Sequence, residues 1–165
     1  MKHCIFTRID YQSPRYQDEL RLRYQVLRQP LGLTLDDIQT AEEARAHHFG
    51  MMDGTRLIAC VLALPTRQQT AVIRQMAVAK GYRSRGIGAQ MLAQAESELL
   101  QLGITALSLS ARTSVIPFYR RAGYTTFGEE YLWVTLPHRW MRKNLTRIPG
   151  DHQPAGARSA PADGN

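Results

Sequence analysis

Apolar and polar positions along the chain change period several times, and each change marks an element. Residues 2–9 alternate as a first strand does. Leu20, Tyr24 and Leu27 recur at helical spacing. They predict a helix capped by Ser13, opened by Pro14 and running to about Leu27. Gln29-Pro30-Leu31-Gly32 stops it. The stretch from Thr34 to Ala46 carries Asp36, Asp37, Glu42 and Glu43 and reads as a short acidic helix or a loop. His47 to Met52 and Arg56 to Leu64 read as strands joined by an Asp53-Gly54 turn, with Pro65 ending the second. Thr70 to Val78 is a further strand, with Val72, Arg74, Met76 and Val78 expected on one face. Ile87, Met91, Leu92, Ala95, Leu99 and Leu102 form the apolar stripe of a long helix that Gly103 closes. Ile104 to Leu109 reads as a buried strand. Thr113 or Ser114 is expected to cap a short helix with Pro117 in its first turn and Gly123 at its end. Tyr124 to Asn144 is strand-like, broken around Gly128 and Pro137.

The order is β-α-(α)-β-β-β-α-β-α-β-β. Short turns between the middle strands force them antiparallel, which excludes a doubly wound sheet. The expected fold class is mixed α/β (α+β), with a mostly antiparallel central sheet flanked by helices. With 165 residues in all, residues 1–146 make one domain and can bury a real core. Residues 147–165 read as a disordered tail, because Gly, Pro, Ala and small polar residues dominate from about Gly150 onward.

Charge narrows the partners. The chain has 21 basic and 14 acidic side chains, a formal net charge of +7. This favours an anionic partner without choosing among nucleic acid, a membrane surface and a phosphorylated cofactor. Cys4 and Cys60 match no metal-ligand spacing, and the adjacent His47-His48 lacks the i, i+4 spacing of a helical metal pair. No metal is expected. The N-terminus lacks a signal-peptide core and no apolar run is long enough to span a bilayer, so a cytoplasmic setting without a membrane partner is expected.

The strand from Ile73 to Val78 runs into Arg83-Ser84-Arg85-Gly86-Ile87-Gly88 and then into a helix. A pyrophosphate needs inward-pointing backbone N–H groups at a helix N-terminus, and glycines let the backbone approach it. Lys80, Arg83 and Arg85 add positive charge there. A P-loop is excluded because no Lys-Ser/Thr follows the glycines. The dinucleotide fingerprint is excluded because position 91 is Met rather than Gly or Ala.

Arg83-x-x-Gly86-x-Gly88 resembles the Arg/Gln-x-x-Gly-x-Gly/Ala signature of the GNAT superfamily of N-acetyltransferases. Downstream, Phe118-Tyr119-Arg120-Arg121-Ala122-Gly123-Tyr124 resembles the superfamily's Phe-Tyr-x-x-x-Gly-Phe/Tyr segment. Leu22 to Arg28 and Leu136-Pro137-His138 resemble one bacterial subgroup. The resemblance covers nearly all of the chain except its tail. It implies acetyl-CoA as co-substrate and a small-molecule or peptide primary amine as acceptor, joined by direct attack in a ternary complex. It also implies a bulged strand whose Met76, Ala77 and Val78 pair with the pantetheine arm. In that picture Arg83, Ser84, Arg85, Gly86, Ile87 and Gly88 hold the pyrophosphate, and Tyr119 protonates the departing thiolate. A thioester attacked by an amine builds charge first on oxygen and then on sulfur, so a backbone N–H and a phenol suit the chemistry.

Many members of the superfamily carry a Glu on the strand before the loop, where this chain has Arg74 and Gln75. The base is left open among Glu42, Glu43, His47, His48 and His138. Arg139, Trp140, Arg142, Lys143 and Arg147 form a basic run that would suit nucleic acid, but the alternation of an exposed strand accounts for it. Two further readings stand beside the enzyme: a basic nucleic-acid-binding module, which is disfavoured, and a CoA-binding regulatory domain without turnover. A homodimer is compatible with the chain.

Overall fold

The computed structural model describes residues 3–34 and 40–146. The expected disordered tail and the acidic residues Asp36 and Asp37 lie outside them. Ser13 caps the first helix: its Oγ accepts from the backbone N–H of Tyr16 at 3.2 Å, and Pro14 occupies the first turn. This helix, α1, spans Pro14–Arg23. It widens into a π-helical turn over Tyr24–Arg28 and ends in a 3-10 turn over Gln29–Leu31 before left-handed Gly32. The first strand, β1, covers Ile5–Ile9. A six-residue helix, α2, spans Thr40–Arg45 and accounts for part of the acidic stretch.

Strands β2 (His47–Asp53), β3 (Arg56–Pro65) and β4 (Thr70–Val78) follow as antiparallel neighbours. Gly54, at φ +60°, makes the β2–β3 turn. The long helix α3 runs over Ile87–Gln101 and closes at Gly103, at φ +86°. Strand β5 (Ala106–Arg112), helix α4 (Ile116–Arg121), and strands β6 (Thr125–Trp133) and β7 (Leu136–Asn144) follow. The sheet order is β1-β2-β3-β4-β5-β7-β6, antiparallel throughout except for β4 and β5. The mixed, mostly antiparallel class expected from the sequence is what the chain adopts.

Two cores lie on opposite faces of this sheet. One packs Met91, Leu92, Ala95 and Leu99 of α3 against Phe49, Met51, Ile73, Leu107 and Leu109. The other packs Tyr16 and Leu22 of α1 against Ile9, Leu57, Cys60 and Ala77. Burying an apolar face on each side removes water from both, which is what holds helices to a sheet.

Four local expectations are corrected. Val72, Arg74, Met76 and Val78 do not share a face. Gln75 sits at φ +54° as a bulge, and the β3–β4 register shifts between Cys60 and Leu62. Ala71 and Ile73 pack on the α3 side before the bulge, and Met76 and Val78 do so after it. The strand predicted at 104–109 starts at Ala106 and runs to Arg112, since the Ile104 N–H still closes α3 on the Leu99 carbonyl. Neither Thr113 nor Ser114 caps α4. The Thr113 hydroxyl hydrogen-bonds Glu130 and the Pro137 carbonyl instead. Pro137 lies inside β7. The break falls at Val134 and Thr135, whose positive φ values of 48° and 64° make a tight hairpin turn.

Candidate active site

The site begins where β4 leaves β5. These parallel strands pair only over Thr70–Val72 and Ala106–Ser108. The Gln75 bulge lies just beyond, so residues 73–78 present an edge to β5 without strand pairing. The bulge is pinned on its other side by Cys60, whose thiol donates to the Gln75 carbonyl at 3.8 Å. A bulge twists and re-aims a strand. Here it opens a wedge between the two parallel strands.

The loop at the end of β4 forms a cradle. Lys80–Tyr82 make a 3-10 turn, Arg83 is extended, Ser84 stands at φ +60° and Gly86, at φ +75°, caps α3. Among the described residues, no backbone carbonyl accepts from the N–H groups of residues 83–89. Unused donors at the N-terminus of a 15-residue helix suit an anion. Of the two arginines, Arg83 donates from Nε to the Val78 carbonyl at 3.1 Å, and Arg85 lies over the Tyr82 ring at 5.6 Å. Gly88 has a separate duty. A Cβ there would stand 3.1 Å from Met76 Cε and 3.5 Å from Phe118 Cζ, so its absence lets α3 approach β4 and α4 closely. The arrangement fits a pyrophosphate-bearing ligand by the chemistry of its donors.

Tyr119 of α4 projects toward the same strand, and its hydroxyl donates to Met76 Sδ at 3.5 Å. Phe118 and Tyr124 hold its ring edge-on at 5.0 and 5.8 Å. Burial pushes its pKa up to about 12, so it keeps its proton at neutral pH. Met76, Val78, Gly88, Phe118 and Tyr119 therefore meet on the α3/α4 face beside the wedge.

The five candidate bases separate by environment. Glu43 and His48 sit in a buried network. Arg23 donates to Glu43 at 2.7 and 3.0 Å and to Glu19 at 3.3 Å. His48 Nδ1 meets Glu19 at 3.0 Å, and its Nε2 meets the Glu43 carbonyl at 2.8 Å. The Tyr16 hydroxyl donates to Glu43. Burial disfavours charge on His48, but the hydrogen bond and charge of Glu19 outweigh it and raise its pKa. Burial likewise opposes charge on Glu43, and Arg23 outweighs it and lowers the pKa. Glu19, Glu43 and His48 offer ligand atoms within 4.8 Å of one another. With Arg23 already bonded to both carboxylates, the cluster is a satisfied ion network that ties α1 and α2 to β2. Glu42 instead pairs with Arg74 at 2.7 Å. His47 is half-buried, and burial, then Arg8, lowers its pKa.

His138 differs from these. Its Nδ1 lies 2.8 Å from the Leu136 carbonyl, which accepts only from a protonated nitrogen. That bond leaves the lone pair on Nε2 in the neutral ring, and among the described residues nothing bonds to Nε2. Tyr131 and Trp133 pack around the ring at 5.9 and 5.6 Å. The Tyr131 hydroxyl bonds Ser110 across the strands. Cross-strand pairing puts Ser110, Arg112, His138, Trp140 and Tyr131 on the face opposite Leu109, Ala111 and Met141. Arg74 lies on that same face of the sheet, with its partner Glu42 on α2.

The polar floor made by Ser110, Arg112, Tyr131 and Trp133 was not foreseen from the sequence. Its signal is the alternation Leu107-Ser108-Leu109-Ser110-Ala111-Arg112, apolar on one side only. The basic run near Trp140 divides between the two faces. Lys143 binds Glu96 of α3, Arg139 donates to the Gly128 carbonyl, and Arg142 lies over Phe127. Arg147 lies outside the described residues.

A sheet splayed by a bulge next to a donor-rich loop defines the acyl-CoA N-acyltransferase fold. An acyl-CoA N-acyltransferase from Pseudomonas aeruginosa superposes with a TM-score of 0.74 at 22% identity, covering 86% of this chain and 99% of that one. An aminoglycoside 6'-N-acetyltransferase complexed with coenzyme A superposes with a TM-score of 0.70 at 19% identity, covering 88% and 99%. The family model described as "Acetyltransferase (GNAT) family" matches residues 10–124, and the chain belongs to that family. YyaT of Bacillus subtilis is 28% identical over 78 residues, which are 47% of this chain and 53% of YyaT. The chain thus spans about half the length of that curated relative. Among the described residues, no helix is long and apolar enough to cross a membrane.

Proposed function

We propose that this chain transfers the acetyl group of acetyl-CoA to the primary amine of an acceptor by direct attack in a ternary complex. One observation carries the reading. The Gln75 bulge, the unpaired N–H groups of residues 83–89 and the Tyr119 hydroxyl converge on the two ends and one side of the same short stretch of β4. In this reading the loop from Arg83 to Gly88 binds the pyrophosphate. The unpaired edge of Met76, Ala77 and Val78 receives the pantetheine, which brings the thioester to the wedge.

The amine nitrogen attacks the thioester carbonyl carbon, the carbon–sulfur bond breaks, and the sulfur takes a proton from Tyr119. The Tyr119 pKa of about 12 suits a donor that stays protonated until a thiolate forms beside it. The nitrogen must lose a proton. Of the five candidates, His138 is assigned to receive it, directly or through water, because its Nε2, on the acceptor-side face, carries a lone pair with no partner among the described residues. Glu43 and His48 act structurally, by fixing α2. The aminoglycoside acetyltransferase bound to coenzyme A shares the fold and supports the choice of donor.

The test has two arms. Acetyl-CoA at millimolar concentration and moderate salt should raise the melting temperature. Thiol release should then depend on an added amine. No stabilisation by acetyl-CoA would refute the reading. Stabilisation without thiol release from any amine would leave a CoA-binding domain and remove the enzyme.

A further inference from the structure

Two arginines stand at the acceptor side of the wedge, one on each of the strands that part there. Arg74 is on β4, one residue before the bulge. Arg112 ends β5, opposite His138 of β7. Their situations differ. The Arg74 guanidinium reaches Glu42 through Nη1 alone, with the pair 45% and 33% exposed. Arg112 is half-buried, and among the described residues it makes no hydrogen bond or ion pair. The nearby acid, Glu130, accepts instead from the hydroxyl of the next residue, Thr113, at 3.1 Å.

A guanidinium drawn partly out of water without a counter-ion is costly, and it carries five donors in a fork shaped for an oxyanion. Arg142, on the same face, adds a third positive charge; of the three, Arg74 is paired with Glu42, and Glu130 near Arg112 is engaged by Thr113, so positive charge is in excess. A face of this sign repels a second ammonium and attracts a carboxylate or phosphate.

We infer that the acceptor is an amine that also carries an oxyanion, a carboxylate or a phosphate, bound by Arg112 with Arg74 while its amino group faces the wedge. This rests on the acetyltransferase reading and specifies its acceptor. Bidentate binding of this type fixes orientation as well as affinity, so the charged group positions the amine for attack.

The experiment compares matched acceptors that differ by one charge. 3-Aminopropanoate is set against propylamine, phosphoethanolamine against ethanolamine, and 1,4-diaminobutane serves as a dication. With acetyl-CoA saturating, thiol release should favour the anionic member of at least one pair by about tenfold or more in kcat/KM. The pair that shows the preference tells carboxylate from phosphate. Arg112→Gln, and separately Arg74→Gln, should bring that ratio close to one by raising KM for the anionic member, while stabilisation by acetyl-CoA persists. A preference for propylamine, ethanolamine or the diamine overturns the inference and leaves the acetyltransferase intact. A ratio unchanged in both variants does the same; acetyl-CoA binding with acetylation of no member of any pair also overturns the inference, and the absence of thiol release with any amine removes the enzyme as well. Failure of the wild-type chain to bind acetyl-CoA sinks the underlying reading instead. If Arg112→Gln does not fold, the wild-type ratios and Arg74→Gln still decide.

Discussion

Replacing Gly86 by alanine isolates the backbone geometry of the cradle. Gly86 stands at φ +75° and ψ 4°, and a Cβ built there meets nothing within 4 Å. The substitution therefore adds no steric contact inside the protein. It adds only the penalty for a left-handed L-residue, roughly 1–2 kcal/mol. That energy has two places to go. If the loop keeps its shape, the folded state carries the strain. At roughly 2–4 °C per kcal/mol for a chain of this size, Tm falls by about 2–8 °C with CoA affinity preserved. If the loop relaxes to negative φ, Tm is kept but the N–H groups turn away. CoA must then restore the strained form, and its Kd rises roughly 5–30-fold for the same 1–2 kcal/mol. Calorimetric unfolding together with CoA titration measures both shares, and their sum should fall between about 1 and 2 kcal/mol. Gly81→Ala is the control, because a Cβ there also meets nothing and its φ lies outside the left-handed range. Gly86→Asn should recover part of the loss, since asparagine tolerates this region better. A Gly86→Ala chain with wild-type Tm and wild-type CoA affinity would show that Gly86 is not held left-handed and that the cradle is misassigned.

Other outcomes follow from the same contacts. Tyr119→Phe should lower kcat by roughly 10²-fold with CoA affinity nearly unchanged, and an unaltered rate removes Tyr119 from proton transfer. The wild-type rate should show no loss from Tyr119 ionisation below about pH 10, because its pKa of about 12 keeps it protonated there. His138→Gln should lose about 10²-fold in kcat and regain part of it with added imidazole; loss without rescue argues for a structural role. Arg23→Ala should lower stability by about 3–5 kcal/mol in urea unfolding, since it strands the buried Glu19 and Glu43, and a change below about 1 kcal/mol contradicts a buried ion network. The same network sets two pH limbs. Glu43, lowered in the fold, contributes stability above its ordinary value of 4.5, lost as pH falls through its folded value. His48, raised in the fold, contributes fully below its ordinary 6.5 and loses that contribution as pH rises through its folded value. Unfolding free energies of wild type and His48→Gln should therefore converge on the alkaline side; parallel curves speak against a protonated His48.

Much of the architecture was legible because it rests on local signals. Ser13 marks a boundary by its side-chain cap ahead of Pro14, and Gly54, Gly103 and Gly123 by positive φ values that few other residues supply; the structure uses all four. The apolar stripe from Ile87 to Leu99 fixed α3, since Ile87, Met91, Leu92, Ala95 and Leu99 are its buried apolar residues. The Val134-Thr135 turn was missed because β-branched residues seldom adopt positive φ, and Pro137 drew the break toward itself. Pairings across the sheet were hidden for a different reason. Nothing local says that Glu43 meets Arg23, 20 residues away, or that His48 meets Glu19, 29 residues away. With Glu42 paired to Arg74, 32 residues away, three of five candidate bases were therefore spoken for by partners that only the fold supplies.

The Gln75 bulge explains why the site could be suspected but not assembled from the strand's own pattern. Strict alternation would put Arg74 on the same face as Met76, beside the cofactor side of the sheet. One extra residue reverses that relation. Arg74 turns to α2 and the acceptor floor, while Met76 and Val78 turn to Gly88, Phe118 and Tyr119. The bulge lies just beyond the last pairing with β5, at Val72, and the wedge between the two strands opens there. A single backbone irregularity thus separates the groups suited to the donor from those suited to the acceptor, and makes the passage through which they meet. An arginine at position 74 is then not a lost base in the place of a glutamate. In the proposed reading Arg74, set on that face and paired with Glu42, serves recognition, and His138, whose Nε2 has no partner among the described residues, takes the proton.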